Sequence, residues 1–420
     1  MPAASFTNLL IITAVAVLAP LTLGFAPRLR IPAVVLEIVA GIVLGPSVLG
    51  WVRVDLPVQI LALVGLAFLL FLAGLEIDLR RLRGLLLWLA VAGYAVTLVL
   101  GLGAGAAFHA AGWVGEPLLI AIALSATSLG LIVPVLKDAG HIESDVGQTA
   151  VAAATVADFA AIVLLSLFFS TSGGGTGARL VLLAAFTAVV VATGFAVRTA
   201  GRSARLGEVL VRLQDTTAEI RIRFAVVLLV AFTALAERFG LESILGAFLA
   251  GAVVSMVDRD STSHPHFRIK LEAIGYGFVV PVFFISSGVR LDLTGLLAEP
   301  SALARVPLFL LALLVVRGVP ALLGWRAMGG RSAIAVGLLQ ATSLPFIVTA
   351  TQIGMTLGKI GTITGAALVC AGLLSVLVFP SAALSLLRRG PDGSGPDSTA
   401  AEERRASARN AGAPTEHYST

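Results

Sequence analysis

Apolar runs of about twenty residues follow one another from Asn8 to Leu387, separated only by short polar stretches. Twenty residues of helix rise about 30 Å, the thickness of a bilayer's hydrocarbon core. Backbone N–H and C=O groups placed there must be satisfied within the protein, which leaves membrane-spanning helices as the fold for such runs. Composition agrees, with 58% apolar and 13% charged residues, against about 25% charged in soluble domains. The expected fold is therefore an all-α polytopic membrane protein. Thirteen spans are expected, the first from Asn8 to Ala26 and the others beginning near Ile31, Val58, Gly84, Pro117, Val146, Leu180, Ile222, Leu241, Ala273, Leu303, Ser332 and Gly361.

The domain organisation follows from the same pattern. Residues 1–389 form one transmembrane domain, and 390–420, rich in Gly, Pro, Ser and charge, read as a disordered cytoplasmic tail. No Lys or Arg precedes the first span while Arg28 and Arg30 follow it, so it reads as a retained helix with its N-terminus outside. Alternate loops differ sharply in basic residues. One set, with the tail, carries Arg80, Arg81, Arg83, Arg202, Arg205, Arg268, Lys270, Arg388 and Arg389, among others, and the opposite set only a few such as Arg53 and Lys359. The positive-inside rule puts the C-terminus in the cytoplasm. This placement also accounts for the net charge of +5 without a nucleic-acid partner. The single cysteine, Cys370, lies in an apolar span and excludes a disulfide framework or a Cys-based metal site. Between Arg198 and Arg223, Leu206, Val209, Leu210 and Leu213 fall at helical spacing among arginines, which predicts a short interfacial helix.

Three strings recur at offsets of about 205 to 215 residues. Leu36 opens L-E-I-V-A-G and Leu241 opens L-E-S-I-L-G. The third span ends in F-L-A-G-L-E-I-D-L at Leu79 and the tenth in I-S-S-G-V-R-L-D-L at Leu293. The fifth contains A-T-S-L-G-L-I-V from Ala126 and the twelfth A-T-S-L-P-F-I-V from Ala341. The matched spans differ by seven in order, so each copy crosses in the direction opposite to its partner. The chain is expected to be an inverted repeat, about 31–170 and about 241–387, the usual build of a secondary transporter.

The run from Gly147 to Phe169 carries one ionisable residue, Asp158, near its middle. A charge at that depth costs about 2.5 to 3.5 kcal/mol even on insertion scales, and such residues usually face a water-filled path. Asp158 reads as a carboxylate that alternately holds a monovalent cation or a proton. Its bland alternative is a protonated side chain bonded to a neighbouring helix. In the fifth span Ser125, Thr127 and Ser128 precede Gly130 and Pro134, and in the twelfth Thr342 and Ser343 precede Pro345. Pro removes a helical hydrogen bond and Gly loosens the backbone, so each span is weak as a continuous helix. Paired by the repeat, they predict two crossed discontinuous helices near the depth of Asp158, with Thr127 and Ser128 as ion ligands. Thr155 shares the face of Asp158 and is either a further ligand or a hydroxyl bonded back to its own helix. Arg317 is either the charge partner of Asp158 or a basic residue that snorkels outward. Glu37 and Glu242 read as helix-dipole partners, and Glu76, Asp78 and Asp138 as solvated charges at span ends. His264, His266 and His109 read as loop histidines. Nothing in the sequence asks for a cofactor, and no H-E-x-x-H, nucleophile elbow or second catalytic carboxylate supports an enzyme.

The strings V-L-E-I-V-A-G-I-V-L-G-P-S-V-L-G from Val35, L-A-F-L-L-F-L-A-G-L-E-I-D-L from Leu66, G-L-E-S-I-L-G-A-F-L-A-G from Gly240 and P-V-F-F-I-S-S-G-V-R-L-D-L from Pro281 resemble those of the second monovalent cation:proton antiporter family. That family includes Kef-type potassium efflux proteins and bacterial sodium/proton antiporters. The resemblance covers nearly the whole chain to about Arg389. It implies thirteen helices in a dimerising panel and a mobile core, hence a homodimer with elevator-like alternating access in a bacterial plasma membrane. It also implies exchange of Na⁺ or K⁺ for H⁺, with Asp158 as the ion-binding aspartate, Thr127 in the first broken helix and Arg317 as the basic residue before the second. Three departures stand out: Ala157 replaces a polar or acidic neighbour of the aspartate, Ala341-Thr342-Ser343 replaces Arg-Gly-Glu, and no nucleotide-binding domain follows the last span. With a single carboxylate the expected exchange is one-for-one and electroneutral. The competing expectation is a cation channel, or a Kef-like efflux path without strict proton coupling.

Overall fold

The computed structural model describes residues 6–25, 32–76, 84–169, 176–200, 219–257 and 265–388. The interfacial helix expected near residues 206–213, the tail beyond Arg388, and Asp78 and His264 lie outside these. Among the described residues all regular structure is helical. In chain order the helices are α1 (Thr7–Phe25), α2 (Ala33–Leu44), α3 (Leu56–Leu75), α4 (Gly84–Ala110), α5 (Pro117–Ser125), α6 (Leu129–Asp138), α7 (Asp145–Phe169), α8 (Thr176–Ala200), α9 (Ile220–Arg238) and α10 (Ser243–Val257). There follow α11 (Pro265–Ile274), α12 (Val280–Val289), α13 (Leu293–Ala298), α14 (Pro300–Leu313), α15 (Trp325–Met328), α16 (Gly330–Gln340), α17 (Pro345–Thr356) and α18 (Thr362–Arg388). Seven described spans are long and apolar enough to cross a bilayer, and the pair α16–α17, bent by 41°, makes an eighth. Shorter apolar helices, α2 and α10 among them, supply further segments.

The first helices of the two repeats interlock. α3 packs on α10 and α2 on α12, so each repeat's first span lies against the other repeat's second. Glycines set the separation: a Cβ at Gly74 would sit 2.0 Å from the Phe248 carbonyl oxygen, and one at Gly41 would sit 2.1 Å from that of Ile285. No side chain fits at either position, so the backbones meet directly. Around α4 to α7 and α14 to α18 a second bundle forms, with α16, α17 and α14 all packed on the long α18. Exposed Leu10, Trp88, Val99, Val181, Phe195 and Val227 cover the outside with apolar surface, as lipid contact requires.

Local chemistry explains the element boundaries. Asp55 caps α3 by accepting from the Val58 amide at 3.2 Å, and Ser144 caps α7 by accepting from the Gly147 amide at 3.2 Å. The tenth span starts earlier than expected, at Pro265 rather than Ala273, and contains a π turn at Gly275–Val279. The eleventh has a second π turn at Leu314–Gly318. Each stands ahead of a proline, Pro281 and Pro320, whose missing N–H frees a carbonyl that the local change of pitch accommodates. These turns present Tyr276 and Arg317.

Candidate functional site

The fifth and twelfth spans are both broken. In the fifth, α5 stops at Ser125 and α6 starts at Leu129, with Ala126 extended at ψ 159°. The break falls ahead of Gly130 and Pro134, not at the proline. Its cause is the fate of three amides that a continuous helix would bond to itself. Thr127 N donates to Asp158 Oδ1 at 3.1 Å, Leu129 N to Asp158 Oδ2 at 3.3 Å, and Ser128 N to the Thr342 carbonyl at 3.1 Å. In the twelfth span α16 ends at Gln340 and α17 begins at Pro345. Pro345 lacks an N–H and disfavours helical backbone at Leu344.

The breaks are joined to one another. Besides Ser128 N on Thr342, the Thr127 hydroxyl donates to the Gln340 carbonyl at 2.9 Å, and the Leu344 amide donates to Ser128 Oγ at 3.1 Å. Arg317 is 1% exposed. Its Nε donates to Thr127 Oγ1 at 2.8 Å, a terminal nitrogen meets the same oxygen, and the other reaches Thr97 Oγ1 at 3.3 Å. Thr127 Oγ1 thus spends its proton on Gln340 and both lone pairs on Arg317. The permanent positive charge of Arg317 lies beside the carbonyl end of α16, where a cation is favoured, and the Asp158 carboxylate meets the amide end of α6, where an anion is favoured.

Asp158 lies in a cavity that Thr127, Ser128, Glu76, Tyr276, Phe284 and Phe346 also line. Glu76, read from the sequence as a solvated charge, is half-buried at the C-terminus of α3, with its Oε2 shielded from solvent and without a hydrogen bond. Gly130 of α6 leaves the room: a Cβ there would meet Tyr276 Oη at 3.3 Å and Glu76 Oε1 at 4.0 Å. The cavity therefore holds two carboxyl groups, not one. Glu37 is likewise buried, at 5% exposure in the second turn of α2.

Other expected site residues are placed as follows. Thr155 is buried and donates to the Val151 carbonyl at 2.8 Å, the back-bonded alternative. Arg317 does not snorkel outward; it reaches Asp158 through Thr127, whose side chain it holds and whose amide Asp158 holds. Thr342 and Ser343 are both fully buried, and the Ser343 hydroxyl makes no hydrogen bond. Tyr94 and Ser125 share a hydrogen bond of 3.0 Å just below the first break. Thr97, Gln340, Glu76 and Tyr276 were not singled out for the site by sequence reasoning. The first two are neutral residues in apolar helices and gave no signal, whereas an acid in F-L-A-G-L-E was visible but its burial was not.

A transmembrane sodium/hydrogen exchanger family profile matches residues 13–389. The chain belongs to that family. Its members are cation:proton antiporters rather than enzymes, and this member is a multi-pass membrane protein. The Bacillus subtilis protein YjbQ is 32% identical over 406 residues, covering 92% of this chain and 64% of YjbQ. The Na⁺/H⁺ antiporter of Enterococcus hirae is 28% identical, covering 84% of this chain and 91% of its own length. GerN of Bacillus cereus, a Na⁺/H⁺-K⁺ antiporter, is 27% identical, with 84% and 89% covered. Among solved structures, the sodium proton antiporter MjNhaP1 from Methanocaldococcus jannaschii superposes with a TM-score of 0.62 at 17% identity, covering 91% of this chain and 98% of that one. This likeness establishes the sodium/proton antiporter fold.

Proposed function

We propose that this exchanger moves a monovalent cation, Na⁺ or K⁺, against H⁺ across a bacterial plasma membrane, with Asp158 as the carboxylate for which the two compete. The observation that carries the reading is the cradle of Asp158: a mid-span carboxylate held by the Thr127 and Leu129 amides at the end of a cavity. Ser128 offers a hydroxyl oxygen beside it and Thr155 a further one a turn before it, while Thr127, whose hydroxyl is engaged by Arg317 and Gln340, takes part through its amide on Asp158. Hard oxygen donors suit a dehydrated alkali cation. Arg317 holds Thr127 in place rather than neutralising Asp158 directly, the Thr342 carbonyl holds the second break against the first, and Ser343 ties that break to Ser375 of α18. GerN's Na⁺/H⁺-K⁺ designation supports keeping K⁺ beside Na⁺.

The cycle alternates access. Asp158 is neutral with a bound cation or a bound proton, and in either form the core moves its site from one side to the other. The cavity runs toward Glu76 at the end of α3, which with an outside N-terminus and a cytoplasmic C-terminus is the cytoplasmic end of that span, so this is the inward-facing arrangement. Beyond the cavity Gln352 of α17 donates to Ser287 of α12 at 2.9 Å, which ties the second broken span to α12. If only Asp158 changes occupancy, one cation exchanges for one proton and no net charge moves. A two-proton cycle would instead draw about 2.3 kcal/mol per 100 mV for each net charge. The protein works as a homodimer.

The test is exchange in liposomes containing a pH dye, with a pH gradient imposed and Na⁺, K⁺ or Li⁺ added at clamped or free membrane potential. Wild type is expected to collapse the gradient on cation addition at the same rate with or without the clamp, and Asp158→Asn is expected not to. Cation-driven proton flux through Asp158→Asn would overturn the reading, and cation flux without proton movement would favour a channel.

A further inference from the structure

Each broken span is followed in the chain by a helix that reaches back to the break, and the two helices do so with different side chains. Asp158 of α7 lies 31 residues after Thr127, whose amide it accepts. Ser375 of α18 lies 32 residues after Ser343 and accepts its amide at 3.2 Å. The Ser375 hydroxyl proton lies between the Ser343 carbonyl at 3.1 Å and the Gly372 carbonyl at 2.7 Å. Ser375 is fully buried. One turn before it, Gly372 makes the approach feasible, since a Cβ there would lie 3.1 Å from the Ser343 carbonyl oxygen. The last helix therefore grips both polar groups of one residue in the second break.

The grip is linked to the ion site by consecutive contacts. Fixing Ser343 fixes its neighbours Thr342 and Leu344. The Thr342 carbonyl receives Ser128 N, and Leu344 N donates to Ser128 Oγ. Ser128 stands between Thr127 and Leu129, the two amides on Asp158.

We propose that Ser375 is a positioning residue for cation binding: two positions beyond Leu373, where the repeat offset would place the equivalent of Asp158, it fastens the second break with a neutral group and sets it so that the first presents its amides and oxygens to the ion. The inference rests on Asp158 being the exchange site and concerns a residue that does not itself touch the ion. Removing the hydroxyl leaves the Ser343 amide unpaired in a dry interior, which costs more than the bond itself contributes. The break can recover that amide only by shifting, and the shift passes through Ser128.

The experiment compares Ser375→Ala, Ser375→Val and Ser375→Thr with wild type in the liposome assay, reading apparent cation KM and maximal rate separately, with melting in detergent as a check on folding. Ser381→Ala, which removes an exposed hydroxyl bonded to its own helix at Leu377, is the control. Ser375→Ala and Ser375→Val are expected to raise KM about tenfold, the factor that one unpaired buried amide gives, with a smaller change in maximal rate. Ser375→Thr is expected to restore KM toward wild type. An unchanged KM in Ser375→Ala, or a loss of rate and melting temperature alone that Thr fails to rescue, would overturn the proposal. Asp158→Asn run alongside keeps the two readings separate: if it is inactive while Ser375→Ala keeps its KM, only the positioning role fails, whereas an active Asp158→Asn removes the site on which the role depends.

Discussion

The two breaks are written with the same four residues, Ala-Thr-Ser-Leu, at 126–129 and 341–344, and are fastened by different chemistry. The first gives two of its free amides to a carboxylate that lines a cavity. The second gives its amides to neutral groups: Thr342 N to the Leu339 carbonyl, Ser343 N to Ser375 and Leu344 N to Ser128. A charged acceptor can change partners, because a cation or a proton can replace part of what the amides supply. A buried hydroxyl network has no such alternative and stays fixed. The repeat therefore supplies two equivalent interruptions, and the following helix decides which is the working site and which the support. Arg317 adds to the asymmetry, since the hydrogen bonds of its guanidinium go to Thr127 of the first break and to Thr97 of α4.

Substitutions can break that contrast, and the largest effect is expected at the charge itself. Asp158→Asn keeps an acceptor for the Thr127 amide but cannot ionise. Exchange should fall by at least about a hundredfold, the factor matching about 3 kcal/mol of charge-assisted contact, while detergent extraction and melting stay close to wild type. Arg317→Met should follow, with exchange down about thirtyfold and a lower melting temperature, because the two threonine oxygens lose their donors at about 1 to 3 kcal/mol. Arg317→Lys should recover only part, since one ammonium cannot reproduce the planar fork on Thr127 and Thr97. Ser128→Ala removes the acceptor for the Leu344 amide at the joint between the breaks, and apparent cation KM should rise about tenfold for the one orphaned amide. The smallest effect is expected at Glu76→Gln, which keeps shape and removes charge at the far end of the cavity. Apparent cation affinity should weaken about fivefold, or about 1 kcal/mol, with no change in the cation order. Transport assays with purified protein check each of these.

The spans, their inverted pairing and the central aspartate were legible because bilayer thickness and the cost of a buried charge act on composition directly. The direct backbone contacts at Gly41, Gly74 and Gly288 came from the structure, where a Cβ at any of the three would run into a facing carbonyl. The exact place of the first break was not legible, since Pro134 drew attention downstream while the cause lies in the affinity of Asp158 for amides 127 and 129. The π turns were half visible in Pro281 and Pro320, yet a proline does not say whether a helix kinks or widens. Thr97, Gln340 and Ser375 left no trace, because a lone hydroxyl or amide in an apolar helix usually bonds back to its own turn, as Thr155 does here. Glu76 misled for a reason of packing. An acid one residue beyond a span reads as solvated, and only the π turn bearing Tyr276, folded over Gly130, encloses it.

The most direct test of competition at one carboxylate needs no transport. Detergent-solubilised wild type and Asp158→Asn are titrated with Na⁺ and K⁺ in weakly buffered solution, and proton release is measured together with cation binding. On the acid side, where the proton competes, the account predicts about one proton released per cation bound by wild type and an apparent affinity that weakens about tenfold per pH unit, with neither binding nor release in Asp158→Asn. Cation binding in that pH range that releases no proton, or binding that survives in Asp158→Asn, would contradict it.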